Sequence, residues 1–117
     1  MNKFDVEKNT IHFRDGQIIE FEYPIDEKEI ITIDFVIIIR LVPPPKSYYN
    51  NNVFALTEKG DLLWQINIEE QYIKNNDCPF VGISINEKGQ LVLFNWCDLA
   101  FIVDPITGRV LSRFVTH

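Results

Sequence analysis

A hairpin unit occurs twice in this chain, as VFALTEKGDLLWQI at residues 53–66 and as FIVDPITGRVLSRF at residues 101–114. Each copy has an alternating apolar run, a turn that ends in glycine (Gly60 and Gly108), and a second apolar run. Alternation of apolar and polar residues is typical of a strand with one buried face, and glycine supplies the positive φ that tight hairpin turns need. The repeat therefore predicts antiparallel β-hairpins.

The same pattern covers most of the chain. Further strand pairs are predicted around Asp15-Gly16 and around the turn that ends in Gly89. The run EIITIDFVIIIRLV at residues 29–42 is rich in β-branched residues, which predicts one long strand covered on both faces. Only residues 67–77 have a helical look, enough for a turn or two. We predict a single all-β domain over residues 1–117. It should be an antiparallel meander of about 8–10 strands, in blade-like sheets or a sandwich, with very little helix.

Residues 53–115 resemble the blade repeat of pyrroloquinoline-quinone-type β-propellers. The resemblance rests on EKGQL, VLFNW and the hairpin AFIVDPITGRVL, in which Asp104, Pro105, Thr107 and Gly108 match a DPxTG turn. It implies consecutive four-stranded sheets that bury their faces against each other and against the N-terminal hairpin. A propeller needs at least about four blades of about 40 residues each. This chain therefore cannot close a propeller alone, and because no residue matches a quinone-binding position, no cofactor is implied.

The residues that could carry catalysis or bind metal are few and scattered. His12 and His117 are the only histidines, and Cys78 and Cys97 lie far apart without a CxxC motif. Buried free thiols are therefore expected rather than a metal site or a disulfide. Asp34, inside an apolar run, is expected to be a satisfied core or edge carboxylate rather than a general base. We predict no catalytic residue, no cofactor and no metal; a small enzyme would have to use His12, Cys97 or Asp34.

The charge of the chain bears on its partners. Seventeen acidic residues against eleven basic ones give a net charge of −6. Nucleic acid is held by lysine and arginine at its phosphates, so the balance argues against direct nucleic-acid binding and favours a basic protein partner. Six carboxylates fall between Glu20 and Asp34. They form either a solvated face that keeps a β-protein soluble or a footprint for that partner.

Aromatic residues in two polar segments add to the candidate interface. The loop KSYYNNN follows three prolines, and the corner NWCDLAF joins two predicted strands. For Trp96, a core position and a ligand platform both remain open, with the core favoured, whereas Trp64 is expected in the core. The candidate partner-binding residues are Glu20, Glu22, Asp26, Glu27, Glu29, Tyr48, Tyr49, Trp96 and Asp98.

A small, acidic, all-β domain of this composition resembles bacterial immunity proteins. The resemblance implies a non-catalytic protein that neutralises a cognate basic nuclease toxin, with carboxylates standing in for substrate phosphates. The alternative is a self-assembling, propeller-like scaffold or a carbohydrate- or ligand-binding module. The N-terminal residues lack the apolar stretch of a secretory signal, and the most apolar run is too short to span a bilayer. We therefore expect a cytoplasmic protein without membrane contact.

Overall fold

A computed structural model describes residues 3–116, which form eleven strands and one short helix. The strands are β1 (Phe4–Glu7), β2 (Thr10–Phe13), β3 (Ile18–Glu20), β4 (Ile31–Ile33), β5 (Val36–Arg40), β6 (Val53–Thr57), β7 (Leu62–Gln65), β8 (Phe80–Ile85), β9 (Leu91–Asn95), β10 (Leu99–Val103) and β11 (Val110–Val115). The helix, α1 (Gln71–Lys74), is a single turn. No helix among the described residues is long and apolar enough to cross a membrane.

The strands form three antiparallel sheets in chain order. Sheet 1 has the order β1-β2-β3, sheet 2 has β4-β5-β6-β7, and sheet 3 has β8-β9-β10-β11. The turns that end in Gly60 and Gly108 connect the last two strands of sheets 2 and 3, and both glycines have positive φ. The repeated hairpin unit is therefore the closing hairpin of two successive sheets, and the prediction of an all-β antiparallel meander is confirmed.

Sheet 2 is the middle layer of the stack. One face of β5 carries Ile38 into a core shared with Phe80 and Phe101 of sheet 3. The other face carries Ile37 and Ile39 into a second core with residues of sheet 1. Because β5 is buried on both faces over residues 36–39, it needs apolar residues at all four of these positions, which explains its continuous apolar run.

The long strand predicted across residues 29–42 is wrong, because it is a hairpin. Ile33 of β4 lies opposite Val36 of β5, and Asp34 and Phe35 form the two-residue turn between them. Both turn residues have positive φ, at 50° and 64°. Asp34 is exposed in this turn, so its predicted place as a core or edge carboxylate is also wrong. The turn lacks the glycine that usually marks such a loop, and the apolar sequence therefore hides it.

The predicted free thiols are also wrong, because Cys78 and Cys97 form a disulfide. Strands β8 and β9 pair antiparallel with Phe80 opposite Asn95. Each cysteine lies two residues beyond that pair, at the same end of the hairpin. Their Cα atoms are 5.5 Å apart, within the range that a disulfide requires. Hairpin register, rather than a local motif, brings the two residues together.

A buried asparagine connects sheet 2 to sheet 3. The Asn52 amide nitrogen donates to the carbonyls of Leu41 and Phe80, at 2.8 and 2.9 Å. Its amide oxygen accepts from the Phe80 N–H at 2.8 Å. Farther along β8, the Ile83 N–H donates to the Glu29 carboxylate at 3.4 Å. Side chains from outside sheet 3 thus bond to the free edge of β8 at Phe80 and Ile83.

Candidate protein-binding site

Trp96 is exposed, whereas Trp64 is buried. Trp96 lies in the turn between β9 and β10 and exposes 71% of its surface. Trp64 belongs to the core between sheets 2 and 3, and its indole N–H donates to the Pro105 carbonyl at 2.8 Å. The expectation of a core position is confirmed for Trp64 and wrong for Trp96. A large exposed aromatic is typical of a binding surface, because burying it on a partner releases much ordered water.

Several bonds fix the turn that carries Trp96. The Asn95 side-chain oxygen accepts from the N–H groups of Cys97 and Leu99, at 3.0 and 2.9 Å. The Trp96 N–H donates to the Pro79 carbonyl at 2.9 Å. The disulfide to Cys78 ties the same turn to the start of β8. Trp96 therefore lies on a rigid backbone, so little conformational entropy of this turn is lost when a partner binds.

A cleft of about 280 Å³ lies beside the Trp96 indole, and we call it the Trp96 cleft. Its walls are Trp96, Pro43–Pro45, Pro79, Val81 and Asp77. Proline has a fixed φ and little side-chain freedom, so these walls are stiff. Asp77 provides the negative charge of an otherwise apolar cleft. Such a surface suits an apolar or cationic side chain from another protein.

The Asp77 carboxylate holds the loop that follows the prolines. One of its oxygens accepts from the Lys46 N–H at 2.7 Å, and the other accepts from the Tyr48 N–H at 3.1 Å. Both loop residues have positive φ, at 63° and 57°. Tyr48 remains exposed, so the loop presents a second aromatic residue near the Trp96 cleft.

Tyr49 points the other way and is half-buried in the core between sheets 1 and 2. Its ring lies 5.0 Å from that of Tyr23 in an edge-on contact. The Gln65 side-chain amide donates to its phenol oxygen at 3.4 Å. Burial, followed by the charge of Glu22, raises the pKa of Tyr49 above its ordinary value. Tyr49 therefore packs within the fold, while its neighbour Tyr48 is available to a partner.

The five predicted acidic residues within residues 20–29 divide into two groups. Asp26 and Glu29 flank Arg40: Asp26 forms an ion pair with its guanidinium, and the Glu29 carboxylate lies 3.6 Å from its Nε. Arg40 also donates to the Phe80 carbonyl at 3.4 Å, so this group supports the junction of sheets 2 and 3. The other three are exposed and form no ion pair with another described residue: Glu20, Glu22 and Glu27.

The structure brings some candidate residues together and separates others. Trp96 and the Tyr48 loop meet at Asp77. Asp98 is exposed on the Trp96 turn but lines a different cleft, with Tyr72 and Arg113. The prolines, Asp77 and Val81 were missed as site residues. The run Pro43-Pro44-Pro45 is the one signal for them, since three successive prolines form a rigid exposed segment.

The residues that could have acted in catalysis or metal binding are either bonded to another residue or far from one another. Cys97 is oxidised in the disulfide, and His12 is exposed on the outer face of sheet 1. Within residues 3–116 there is no group of three or more histidine, cysteine, aspartate or glutamate side chains that could hold a metal ion.

Fold and site together define a class: a small all-β protein of three stacked antiparallel sheets, with an exposed tryptophan beside a proline-lined cleft. Residues 1–114 match the family described as domain of unknown function (DUF7957), and the chain belongs to that family. No curated protein matches the chain. Because the family carries no assigned activity, its function has to be argued from the surface of the molecule.

Proposed function

We propose that this chain is a non-catalytic protein-binding domain, and specifically an immunity protein that neutralises a cognate basic nuclease toxin by covering its active or substrate-binding surface. The observation that carries the proposal is the exposed Trp96 on its fixed turn, at the edge of a stiff apolar cleft. Tryptophan is among the residues that contribute most binding energy at protein interfaces.

The charge of the molecule supports a basic partner. A nuclease is positively charged where its nucleic-acid substrate lies. Glu20, Glu22 and Glu27 are exposed carboxylates without an ion-pair partner among the described residues, in a chain of net charge −6. Complementary charge accelerates association and fixes the orientation of the complex. In this proposal the Trp96 cleft supplies affinity, and the free carboxylates supply attraction and specificity.

A ring of copies, the propeller-like alternative, is supported by the stacking of three sheets in chain order. The outer face of sheet 1 opposes it. Asp5 and His12 lie opposite each other there, and Glu7, Thr10 and Glu20 form the next cross-strand row, all of them accessible to solvent. Head-to-tail stacking would remove water from these charges without supplying partners, which is costly. We therefore place the ring second.

The disulfide bears on the compartment. Disulfides are rare in reducing cytosol and common in oxidising compartments. The cytoplasmic location predicted from the sequence requires the Cys78–Cys97 pair to be reduced or protected in the cell. Alkylating the free thiols in intact cells, followed by mass spectrometry, measures this directly: alkylation of both residues supports a reducing compartment, and an intact bond contradicts it.

The proposal expects a basic nuclease to be encoded beside this gene, and the test of the function uses that nuclease. We expect the purified chain to bind that nuclease, to inhibit cleavage, and to bind more weakly as salt increases. Trp96→Ala should weaken binding by at least about 2 kcal/mol, or roughly thirtyfold. Phe35→Ala removes an equally exposed aromatic that does not line the cleft, and it should leave binding unchanged. Absence of binding to the nuclease would refute the proposal.

The electrostatic part has its own test. Glu20→Lys with Glu22→Lys should leave the fold intact, because both side chains are exposed, and should slow association with the basic partner. Lys59→Glu with Lys88→Glu, in two hairpin turns, shifts net charge in the opposite direction and should have little effect. An unchanged association rate in the Glu20/Glu22 variant means that these carboxylates only solvate the surface.

A further inference from the structure

The two edge strands of sheet 3 differ in how many hydrogen bonds their backbones receive from side chains. Strands β8 and β11 are both six residues long and lie at opposite edges. Asn52 and Glu29 bond to the free backbone groups of β8. Within residues 3–116, no side chain forms a hydrogen bond to the backbone of β11, and residues 111–115 are exposed. Side chains therefore occupy part of one edge of the sheet, at Phe80 and Ile83, and leave the other edge open.

The hydrogen-bond phase of β11 shows which backbone groups are open. The Thr116 N–H donates to the Asp98 carbonyl at 2.9 Å, so these two residues form a hydrogen-bonded pair. Such pairs alternate along an antiparallel ladder, and the next one on β11 involves Phe114. Arg113 and Val115 occupy the intervening positions. Their N–H and C=O groups therefore point away from β10, toward the open edge.

The other edges of the molecule are better protected. Strands β1, β3, β4 and β7 contain only three or four residues each, and short edge strands pair poorly with other chains. On β11, Leu111, Phe114 and Val115 expose 56%, 46% and 55% of their surfaces. A long, apolar, open edge strand is a template for pairing with another strand.

The outer face of sheet 3 extends this apolar character. Phe94, Ala100 and Phe114 form one cross-strand row on the face away from the core. Ile102 and Ser112 lie in the adjacent row, opposite each other. No charged side chain interrupts these positions, so Phe114 is the outermost member of an uncharged surface that ends at the open edge.

We propose that β11 pairs antiparallel with β11 of a second copy about a two-fold axis, which joins the two copies of sheet 3 into one eight-stranded sheet. Arg113 and Val115 must contribute the new hydrogen bonds, because their groups are the open ones. Placing Arg113 opposite Val115 of the second copy brings the two Phe114 side chains face to face across the axis, a favourable aromatic cross-strand pair. Placing Arg113 opposite itself sets like charges against each other, which is unfavourable.

This self-complementary register favours a second copy over an unrelated strand. The strand repeats its own hydrogen-bond pattern across the axis, and the exposed Phe114 side chain meets Phe114 of the second copy. The uncharged rows on the outer face then continue from one copy into the other. The inference does not depend on the nuclease partner, because it concerns an edge of sheet 3 and not the Trp96 cleft.

The first test is the oligomeric state by light scattering during size-exclusion chromatography, over a series of concentrations. We expect a dimer for the native chain. Val115→Pro removes an N–H that β10 does not use and should weaken dimerisation at least tenfold. Leu63→Lys, at the edge of sheet 2, is the matched control and should remain dimeric. A monomeric native chain, or a Val115→Pro variant that dimerises normally, overturns the proposal.

Cysteine cross-linking tests the register and does not depend on how Val115→Pro folds. In the proposed register the two Phe114 residues form a non-hydrogen-bonded pair with Cα atoms about 4.5 Å apart, close enough for a disulfide. Phe114→Cys should therefore form covalent dimers under mild oxidation, and Arg113→Cys should not. Because Cys78 and Cys97 are bonded to each other, they do not compete. Cross-linking through position 113 alone overturns the register.

Discussion

Replacing Gly108 with alanine should destabilise this protein far more than the same change in a comparable turn. Gly108 has a φ of 76°, and an added Cβ would lie 2.6 Å from Cδ2 of the Trp64 indole. The Trp64 indole has little room to move away from the added Cβ. It is buried in the core between sheets 2 and 3, and its N–H is bonded to the Pro105 carbonyl at 2.8 Å.

The loss of stability expected for Gly108→Ala has two parts, one conformational and one steric. A non-glycine residue in the left-handed region costs about 1–2 kcal/mol. Forcing an extra carbon into a packed site costs typically about 1–3 kcal/mol. Gly108→Ala should therefore lower the free energy of unfolding by about 2–5 kcal/mol in total. Gly89 is the matched control, because it has a φ of 77° but nothing within 4 Å of the added Cβ. Gly89→Ala should therefore lose only the about 1–2 kcal/mol that the left-handed conformation costs.

Urea unfolding followed by tryptophan fluorescence measures both variants, and the difference between them isolates the steric part. We expect Gly108→Ala to lose at least about 1 kcal/mol more than Gly89→Ala. The emission of the folded Gly108 variant should also change, because Trp64 must shift. Equal losses in the two variants would show that the Trp64 indole does not press on the turn at Gly108.

Three further predictions concern the disulfide, the sheet junction and Tyr49. Replacing both cysteines with alanine removes a cross-link that spans 19 positions and should cost about 3 kcal/mol by loop-closure entropy, measured by denaturant unfolding. Dithiothreitol should reproduce the loss in the native chain and have no effect on the variant. Asn52→Ala leaves the Phe80 N–H and C=O buried without their amide partner, so it should lower the free energy of unfolding by about 2–4 kcal/mol. It should also speed hydrogen exchange at the Phe80 amide. An exchange rate equal to that of the native chain would contradict the role of Asn52. Because the pKa of Tyr49 is raised in the folded state, stability should fall as the pH rises above about 10, and Tyr49→Phe should lessen that fall in an alkaline unfolding series.

The strand pattern was predictable where alternation and turn chemistry coincide. Strands β8, β10 and β11 lie in the hairpins predicted around the turns that end in Gly89 and Gly108. In each case an apolar run of period two lies next to a turn that ends in glycine or begins with an aspartate or asparagine. Both signals are local, so a single sequence contains all the information needed to place these strands.

The turn at Asp34-Phe35 was not predictable from local signals. Phenylalanine rarely adopts the positive φ that this position requires, and the flanking residues are apolar on both sides because β5 is buried on two faces. The sequence therefore looks like one uninterrupted strand. The disulfide was hidden for a different reason, since two distant cysteines become neighbours only once the pairing of β8 and β9 is known.

The candidate site was only partly predictable. Trp96 and Tyr48 were identified because aromatic residues in polar segments stand out. The Trp96 cleft itself joins three distant segments, at residues 43–45, 77–81 and 96, and no local pattern links them. Likewise, Asp26 and Glu29 look like free carboxylates in the sequence. Folding brings them to Arg40 and leaves the other three exposed.

The pairing of every strand in the three sheets with its neighbours in the chain has a consequence for how the protein folds. Except for the connection between β5 and β6, at residues 41–52, the hairpins close over short loops, so most of the ladder forms without a large loss of chain entropy. Folding should therefore be fast for an all-β protein. During synthesis each sheet can be completed before the next one leaves the ribosome. Sheet 1 then needs only sheet 2 to cover its apolar face. Sheet 2 needs sheet 3 as well, so one of its faces stays incompletely covered until the last strand has been made.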